Sequence, residues 1–332
     1  MNELTFPALV VRETERGVYT RSIEEKKLGE LPPGEVLVKV DYSSINYKDG
    51  LSATGNRGVT RRYPHTPGVD AAGEVVASDS ASFRPGDMVV VSCYDLGMNT
   101  SGGYGRYIRV PAAWIMTRPD NLTARESMIY GTGGFTAAHS VDRLTGLGVR
   151  PEQGKVLVTG ATGGVGCFAV AILARLGFRV TAVTGKPESH SFLKDLGAEK
   201  IINRSQSVDT SGKLVLKGRW AGVVDTVGGE MLSTALRSTR YGGVVTCCGN
   251  VAGPEFSANV YPFILRGITL AGIDSAECPM TERIRIWQRI ANEWKIDQLD
   301  LIATEITLKE LSPALDRILK GGAMGRTVVR LG

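Results

Sequence analysis

The sequence predicts an α/β protein in which a doubly wound parallel sheet is inserted into a β-rich domain built from both ends of the chain. Three observations carry that prediction. From Lys155 onward short β-branched runs alternate with apolar helical patterns, as expected of a parallel sheet covered on both faces. Before Ala77, by contrast, strand-like runs follow one another with only turn clusters between them. The closing "RTVVRL" returns to a strand pattern. A chain of 332 residues exceeds one ordinary core, so two domains are expected. The boundaries read as 1–124 and 273–332 for the β-rich domain and 125–272 for the inserted one.

Taken in order, "ALVVRE", "EVLVKVDYSSI", "GVDAAGEVVA" and "GDMVVVSC" are the first strands, the last followed by the glycine-rich loop "GMNTSGGYGRYIRV". Helix-rich texture starts after Pro119, where Thr123 and Glu126 have the spacing of a capping box. The alternating section then reads strand "KVLVT", helix 164–177, strand "RVTAV", helix 188–196, strand "KII", strand "GVVDTV", helix 230–240, and strands "GGVVTCCG" and "ITLAG". In the tail, Thr281 is placed to cap a helix that carries Ile284, Ile286 or Trp287, Ile290 and Ala291 at helical spacing. A second helix is expected around 313–320.

Bulk properties exclude several functions. A net charge of +5 with Lys and Arg spread along the chain gives no nucleic-acid footprint, although an anionic substrate is compatible with it. Five cysteines without paired spacing fit reduced thiols and no metal site. Neither a basic leader nor an apolar run of about 18 residues is visible, so a soluble cytoplasmic protein without a membrane partner is expected. His65, His139 and His190 stand alone, and no GxSxG elbow accompanies them.

The most informative stretch is Lys155 to Gly166, "KVLVTGATGGVG". A strand that ends in a glycine turn and opens into a helix lets backbone approach a pyrophosphate closely, with free N–H groups and partial positive charge at the helix start. Cofactor preference is read about 20 residues downstream, where NAD sites place a carboxylate on the ribose. Here the strand ends Thr184-Gly185-Lys186, and Lys186 with Arg204 could meet a 2′-phosphate or remain solvated surface groups. The reading is NADPH. Asn46, Tyr47, Lys48 and Asp49 cluster after a strand and could line a cleft or form an ordinary turn.

Together "SSINYKDGLSATG", "PHTPGVDAAGEV", "RPGDMVVVSC", "GTGGFTAA" and "VLVTGATGGVG" resemble the medium-chain dehydrogenase/reductase superfamily. More narrowly, "NYKD", "PGVD", "GTGGFTA", "YPFILRGITLAGIDS" and "GRTVV" resemble its acryloyl-CoA reductase and quinone oxidoreductase branch. The resemblance implies a GroES-like catalytic domain with an inserted Rossmann domain. Zinc-dependent relatives carry a cysteine where this chain has "NYKD" and Gly-His-Glu at Gly68-Val69-Asp70, so it also implies a zinc-free reductase.

The resemblance further implies Tyr47 as a cofactor contact and Thr162, Gly163, Gly164 and Val165 as the pyrophosphate turn. Thr184, Gly185, Lys186 and Arg204 correspond to the 2′-phosphate pocket, and Asn250, Ile264 and Ser275 to the nicotinamide half. Asn46 and Asp49 match the branch's catalytic polar residues, with Asp49 read as an orienting group, and Arg326 matches a position at the substrate. The expected reaction is zinc-independent hydride transfer from NADPH to the activated C=C of a short enoyl-CoA such as acryloyl-CoA, giving propanoyl-CoA. A quinone or enone is the alternative substrate, and an NADPH-binding regulatory protein is the alternative of another class. The branch also implies a homodimer, formed by the "GITLAG" strand pairing with its copy.

Overall fold

The computed structural model describes residues 3–332. Its first strands are β1 (Thr5–Glu15), β2 (Val18–Lys27), β3 (Val36–Ser44), β4 (Asp70–Ser78), β5 (Met88–Ser92), β6 (Tyr107–Val110) and β7 (Ile115–Thr117), with helix α1 (Tyr47–Ala53) after β3. Next come α2 (Ala124–Gly146), β8 (Lys155–Val158), α3 (Gly166–Arg175), β9 (Arg179–Val183), α4 (His190–Asp195), β10 (Ala198–Ile202) and β11 (Trp220–Asp225). The order continues with α5 (Gly229–Ser238), β12 (Thr239–Cys247), α6 (Tyr261–Arg266), β13 (Thr269–Gly272), α7 (Met280–Ala291), α8 (Leu299–Ile302), β14 (Ala303–Thr307), α9 (Leu308–Leu319) and β15 (Arg326–Arg330).

Two compact units result. The first runs to Thr132 and adds Ala276–Ala291 and Gln298–Gly332; the second is Gly133–Ser275 with Asn292–Asp297. In the first, a seven-stranded sheet has the order β14-β15-β3-β4-β5-β7, with β6 also paired to β3. Its core is aliphatic: Val36, Val38, Val40, Val75, Val89, Val91 and Ile108 are buried together. A second cluster of Leu9, Val11, Ile45, Ala53, Tyr104, Leu311, Leu315 and Val329 lies under α1 and α9. Apolar residues of β3 and α1 thus bury on both sides of residues 44–49, and the polar groups between them are held in a fixed frame.

The second unit is a six-stranded parallel sheet, β10-β9-β8-β11-β12-β13. Strand order reverses between β8 and β11, so the carboxyl ends there face a topological switch point. Near-continuous burial along β11 and through α3 agrees with a sheet covered on both faces.

Departures from the sequence reading are local. The β2 strand pairs with β1 in a separate ribbon, and its mostly exposed, charge-rich pattern hid it from a search for apolar runs. Thr123 and Glu126 do bond reciprocally, at 2.8 and 3.1 Å, but α2 is broken at Gly131, whose φ of 45° and ψ of −153° are not helical. Helix α7 starts at Met280, leaving Thr281 inside its first turn. Helix α9 starts at Leu308, before the expected 313, because Glu310 accepts the Thr307 backbone N–H at 2.9 Å.

Candidate active site

In the first unit the residues after β3 converge on two buried carboxylates. Asp70 opens β4 and is fully buried. Its Oδ2 accepts Ser44 Oγ at 2.6 Å and Asn46 Nδ2 at 2.7 Å, while Oδ1 accepts Ser92 Oγ and Thr132 Oγ1, both at 2.7 Å. The Thr132 backbone N–H lies 3.1 and 3.0 Å from the two oxygens. That N–H reaches the carboxylate because α2 breaks one residue earlier. A Cβ on Gly131 would stand 2.6 Å from Asp70 Oδ2, 2.7 Å from Ser44 Oγ and 2.8 Å from Arg326 Nη2, and the positive φ disfavours any other residue.

Arg326 enters the same group from β15. It is 4% exposed, and its guanidinium donates to Ile129 O at 3.1 Å, Ile45 O at 3.1 Å, Asn46 Oδ1 at 3.0 Å and Ser44 Oγ at 2.7 Å, with Asp70 Oδ2 3.6 Å away. The arginine that the sequence placed at the substrate therefore spends its donors on this chain. A consequence follows for Asn46. Arg326 occupies the amide oxygen and Asp70 one amide hydrogen, which fixes the orientation of the amide and leaves its second N–H with no acceptor among the described residues.

Asp49 sits one turn into α1 and is also fully buried. Its Oδ2 accepts the Asn46 backbone N–H at 2.7 Å, and its Oδ1 accepts Gly68 N–H at 3.1 Å and Val69 N–H at 2.9 Å. Burial pushes its pKa up to about 7, against the pull of those N–H groups and with some help from the Asp70 charge. Asp49 thus ties the turn bearing Asn46 to the strand start bearing Asp70. The glycine loop behind it has an inner role: Gly103 N–H donates to Gly68 O at 2.8 Å, and a Cβ on Gly103 would lie 2.1 Å from Asp70 O. Tyr47 is 39% exposed at the start of α1.

In the second unit, Thr162 to Val165 form the turn between β8 and α3. Gly163 N–H donates to Gly160 O at 2.9 Å, and a Cβ on Gly166 would be 2.3 Å from that same oxygen, so the turn closes only around glycines. It is braced by Asp225 at the end of β11, whose carboxylate accepts Thr159 Oγ1 at 2.7 Å and Gly228 N–H at 2.8 Å. At the end of β9, Thr184 Oγ1 accepts the Lys186 backbone N–H at 3.1 Å. Arg204 lies across Gly185, where a Cβ would meet its Nε at 2.7 Å and Cζ at 3.0 Å. Burial lowers the Lys186 pKa, against the pull of the Glu188 charge and with a smaller push from Arg204.

Two cations thus bracket a side-chain-free turn beside a glycine cradle at the switch point. That fits a phosphorylated dinucleotide, whose pyrophosphate matches the cradle and whose 2′-phosphate matches the cations. Asn250 follows the carboxyl end of β12 and Ser275 that of β13, on the same edge of the sheet as the turn. Ile264 lies on α6, 68% exposed, and among the described residues no contact brings it to that edge.

Sequence reasoning missed Asp70 as a participant, along with Ser44, Ser92, Gly131 and Thr132. The signal was present in "PGVD" and "GTGG", where a carboxylate at a strand start and a helix glycine need a partner.

Known proteins resemble this chain along nearly its whole length. The family models "Alcohol dehydrogenase GroES-like domain" and "Zinc-binding dehydrogenase" match residues 32–120 and 164–292. Acrylyl-CoA reductase AcuI of Ruegeria pomeroyi is 43% identical over 325 residues, 98% of each chain. The crystal structure of the Bacillus subtilis protein YhfP with NAD bound has a TM-score of 0.96 at 44% identity, covering 99% of this chain and 100% of that one. The Salmonella enterica YhdH oxidoreductase in complex with NADP has a TM-score of 0.95 at 39% identity, covering 98% and 100%. With relatives this similar along nearly the whole chain, and with their doubly wound sheet and separate β domain reproduced here, the chain belongs to the medium-chain dehydrogenase/reductase superfamily, in the branch that holds AcuI and YhfP.

Proposed function

We propose that the protein is an NADPH-dependent, zinc-independent reductase of short enoyl-CoA thioesters such as acryloyl-CoA, giving propanoyl-CoA. The observation that carries the reading is the Asn46 amide, held at both ends with one N–H left over. Support for the cofactor comes from the Lys186–Arg204 pair around Gly185 and from the NADP-bound Salmonella relative. Support for the substrate comes from the AcuI relative. Thr162 to Val165 would hold the pyrophosphate, Thr184 to Lys186 and Arg204 the 2′-phosphate, and Tyr47, Asn250 and Ser275 the remainder. When bound, NADPH supplies hydride to the β-carbon of the activated double bond.

The chain's own residues deal with the charge that this creates. Negative charge grows on the thioester oxygen, and the spare Asn46 N–H is a donor already oriented to meet it. Asp70 and Arg326 keep that amide from flipping or swinging. Asp49 holds the turn that presents it, and acts by position. A proton delivered to the α-carbon, from solvent or a positioned acid, completes the reduction.

The test is NADPH consumption with acryloyl-CoA, with quinones, and with primary alcohols plus zinc in the reverse direction. Turnover with acryloyl-CoA and little alcohol oxidation is expected; robust zinc-dependent alcohol oxidation would sink the reading. Asn46→Ala is expected to lower kcat by about 10²–10³ while leaving NADPH affinity in place, the size of effect seen when one oxyanion donor is lost. Unchanged kcat would remove Asn46 from the chemistry.

Two further features belong to this reading. Strand β13 ends its sheet, and Val260, Ile264 and Leu265 beside it are 63%, 68% and 62% exposed, so we place a two-fold contact with a second copy there. No helix of the described residues is long and apolar enough to cross a membrane, and the five cysteines are free thiols, which suits the cytoplasm.

A further inference from the structure

The segment that leaves α1 carries two positive charges that no group among the described residues neutralises. Arg57 is committed, with its guanidinium against Glu13 and over the rings of Tyr19 and Tyr63. Arg61 and Arg62 are both exposed, and neither has a carboxylate or hydrogen-bond acceptor for its side chain among the described residues. Lys48, half-buried in the first turn of α1, has none either. The one acidic residue between positions 45 and 66 is Asp49, which is fully buried and faces backbone N–H groups.

Exposed arginines are commonly just solvated, but the backbone here is fixed on both sides of the pair. Thr60, fully buried, shares a 2.7 Å hydrogen bond with Ser52 of α1, and Tyr63 OH donates to Ser52 O at 2.6 Å. The Arg61 N–H donates to Asn99 Oδ1 at 3.1 Å, and Arg61 O accepts Arg57 Nη1 at 2.6 Å. The two guanidinium groups therefore project from a fixed backbone, so only side-chain freedom is lost when they bind an anion.

Their distance from the reactive end is also informative. From Asn46 to Ser52 is roughly 9 Å at 1.5 Å rise per residue. Thr60 lies against Ser52, so an extended arginine side chain just beyond it can reach up to roughly 15 Å from Asn46. The pantetheine arm of coenzyme A, about a dozen bonds from sulfur to the first phosphate, spans roughly the same length when extended at about 3.5 Å per three bonds. A quinone or simple enone has no group at that distance.

We propose that Arg61 and Arg62, with Lys48 between them and Asn46, bind the phosphate groups of a coenzyme A thioester, and that this segment sets the preference for such a thioester over a neutral electrophile. The proposal rests on the reductase reading above. The planar guanidinium fork suits phosphate oxygens, and the site is electrostatic and close to the surface, so it weakens with salt.

The test compares acryloyl-CoA with acryloyl-N-acetylcysteamine, which has the same reactive end and no phosphates. For the Arg61→Ala/Arg62→Ala double variant with saturating NADPH, KM for acryloyl-CoA is expected to rise about 10- to 100-fold with little change in kcat. KM for the truncated thioester should stay put, and Arg61→Lys/Arg62→Lys should recover part of the loss. Equal shifts with both substrates, or none with acryloyl-CoA, would overturn the proposal. Calorimetric titration of propanoyl-CoA into the NADPH complex separates this from the reaction itself. If neither thioester is reduced but propanoyl-CoA binding is lost in the double variant, the site stands and the reaction reading falls. No propanoyl-CoA binding by the unaltered protein overturns the site.

Discussion

The two candidate sites, one in each unit, are built by opposite means. In the Rossmann unit, a contiguous run from Lys155 to Gly166 makes the cradle, and side chains are chiefly excluded from it, at Gly166 and again at Gly185. In the GroES-like unit, six side chains from distant segments are packed together: Ser44, Asn46, Asp70, Ser92, Thr132 and Arg326. The first device admits a large charged ligand by leaving backbone bare. The second holds one amide still by surrounding it with satisfied charge. A site of the first kind should tolerate loss of a single contact, whereas a site of the second kind should fail as a unit.

The largest effect is therefore expected at Asp70. Asp70→Ala leaves the Arg326 guanidinium buried without its 3.6 Å partner and strips acceptors from Ser44, Asn46, Ser92 and Thr132. Breaking a buried pair in this way costs about 3–5 kcal/mol, which urea unfolding measures directly. In the milder Asp70→Asn, one oxygen still accepts, so the fold should survive while kcat falls by at least about tenfold as the Asn46 amide loses its fixed orientation. Gly131→Ala attacks the same group from α2, with its Cβ 2.6 Å from Asp70 Oδ2. If kcat survives in both Asp70→Asn and Gly131→Ala, the network is scaffolding and not part of the chemistry.

This contrast also accounts for what the sequence disclosed. The cradle was legible because its glycines are neighbours in the chain and their spacing alone states the turn. The Lys186 and Arg204 pair was legible because both follow strands whose ends are fixed by the doubly wound order. Asn46 and Asp49 were found as a polar cluster after a strand, but their roles were not visible there. Asn46 and Arg326 are 280 residues apart, and only the pairing of β15 with β3 brings them within 3.0 Å. Asp70 was read as the place of a missing zinc ligand. Its function depends on Gly131 breaking a helix, which propensity alone treats as a blemish.

A smaller effect should distinguish the cradle from the cations beside it. Lys186→Ala is expected to weaken NADPH by about 1–3 kcal/mol and NADH hardly at all, the range for a lost charge-assisted contact. Gly185→Ala makes the same point without removing any charge. Its Cβ would sit 2.7 Å from Arg204 Nε and 3.0 Å from Cζ, so the guanidinium must move off the turn. Fluorescence titration of both cofactors against both variants measures the selectivity. Equal weakening of NADPH and NADH would show that the turn itself had been damaged, and would withdraw the 2′-phosphate role from this pair.

The smallest and most specific effect concerns the protonation of Asp49. Its pKa is raised from the usual 3.8 to about 7, chiefly by burial, so its contribution to stability is full below about 4 and is lost as pH rises through about 7. His65 has the opposite sign. Burial lowers it from 6.5 to about 4, so its contribution is present above 6.5 and lost as pH falls through about 4. Between those values the two slopes oppose each other, and the unaltered protein hides both. Subtracting the urea-unfolding free energy of Asp49→Asn from that of the unaltered protein cancels His65 and leaves Asp49 alone. The difference should fall by up to about 1.4 kcal/mol per pH unit between about 4.5 and 7, then level off. A flat difference would mean that Asp49 is ionised throughout this range. The N–H groups of Asn46, Gly68 and Val69 would then outweigh burial, and the unit would hold two buried anions around Asn46 where the shift argues for one.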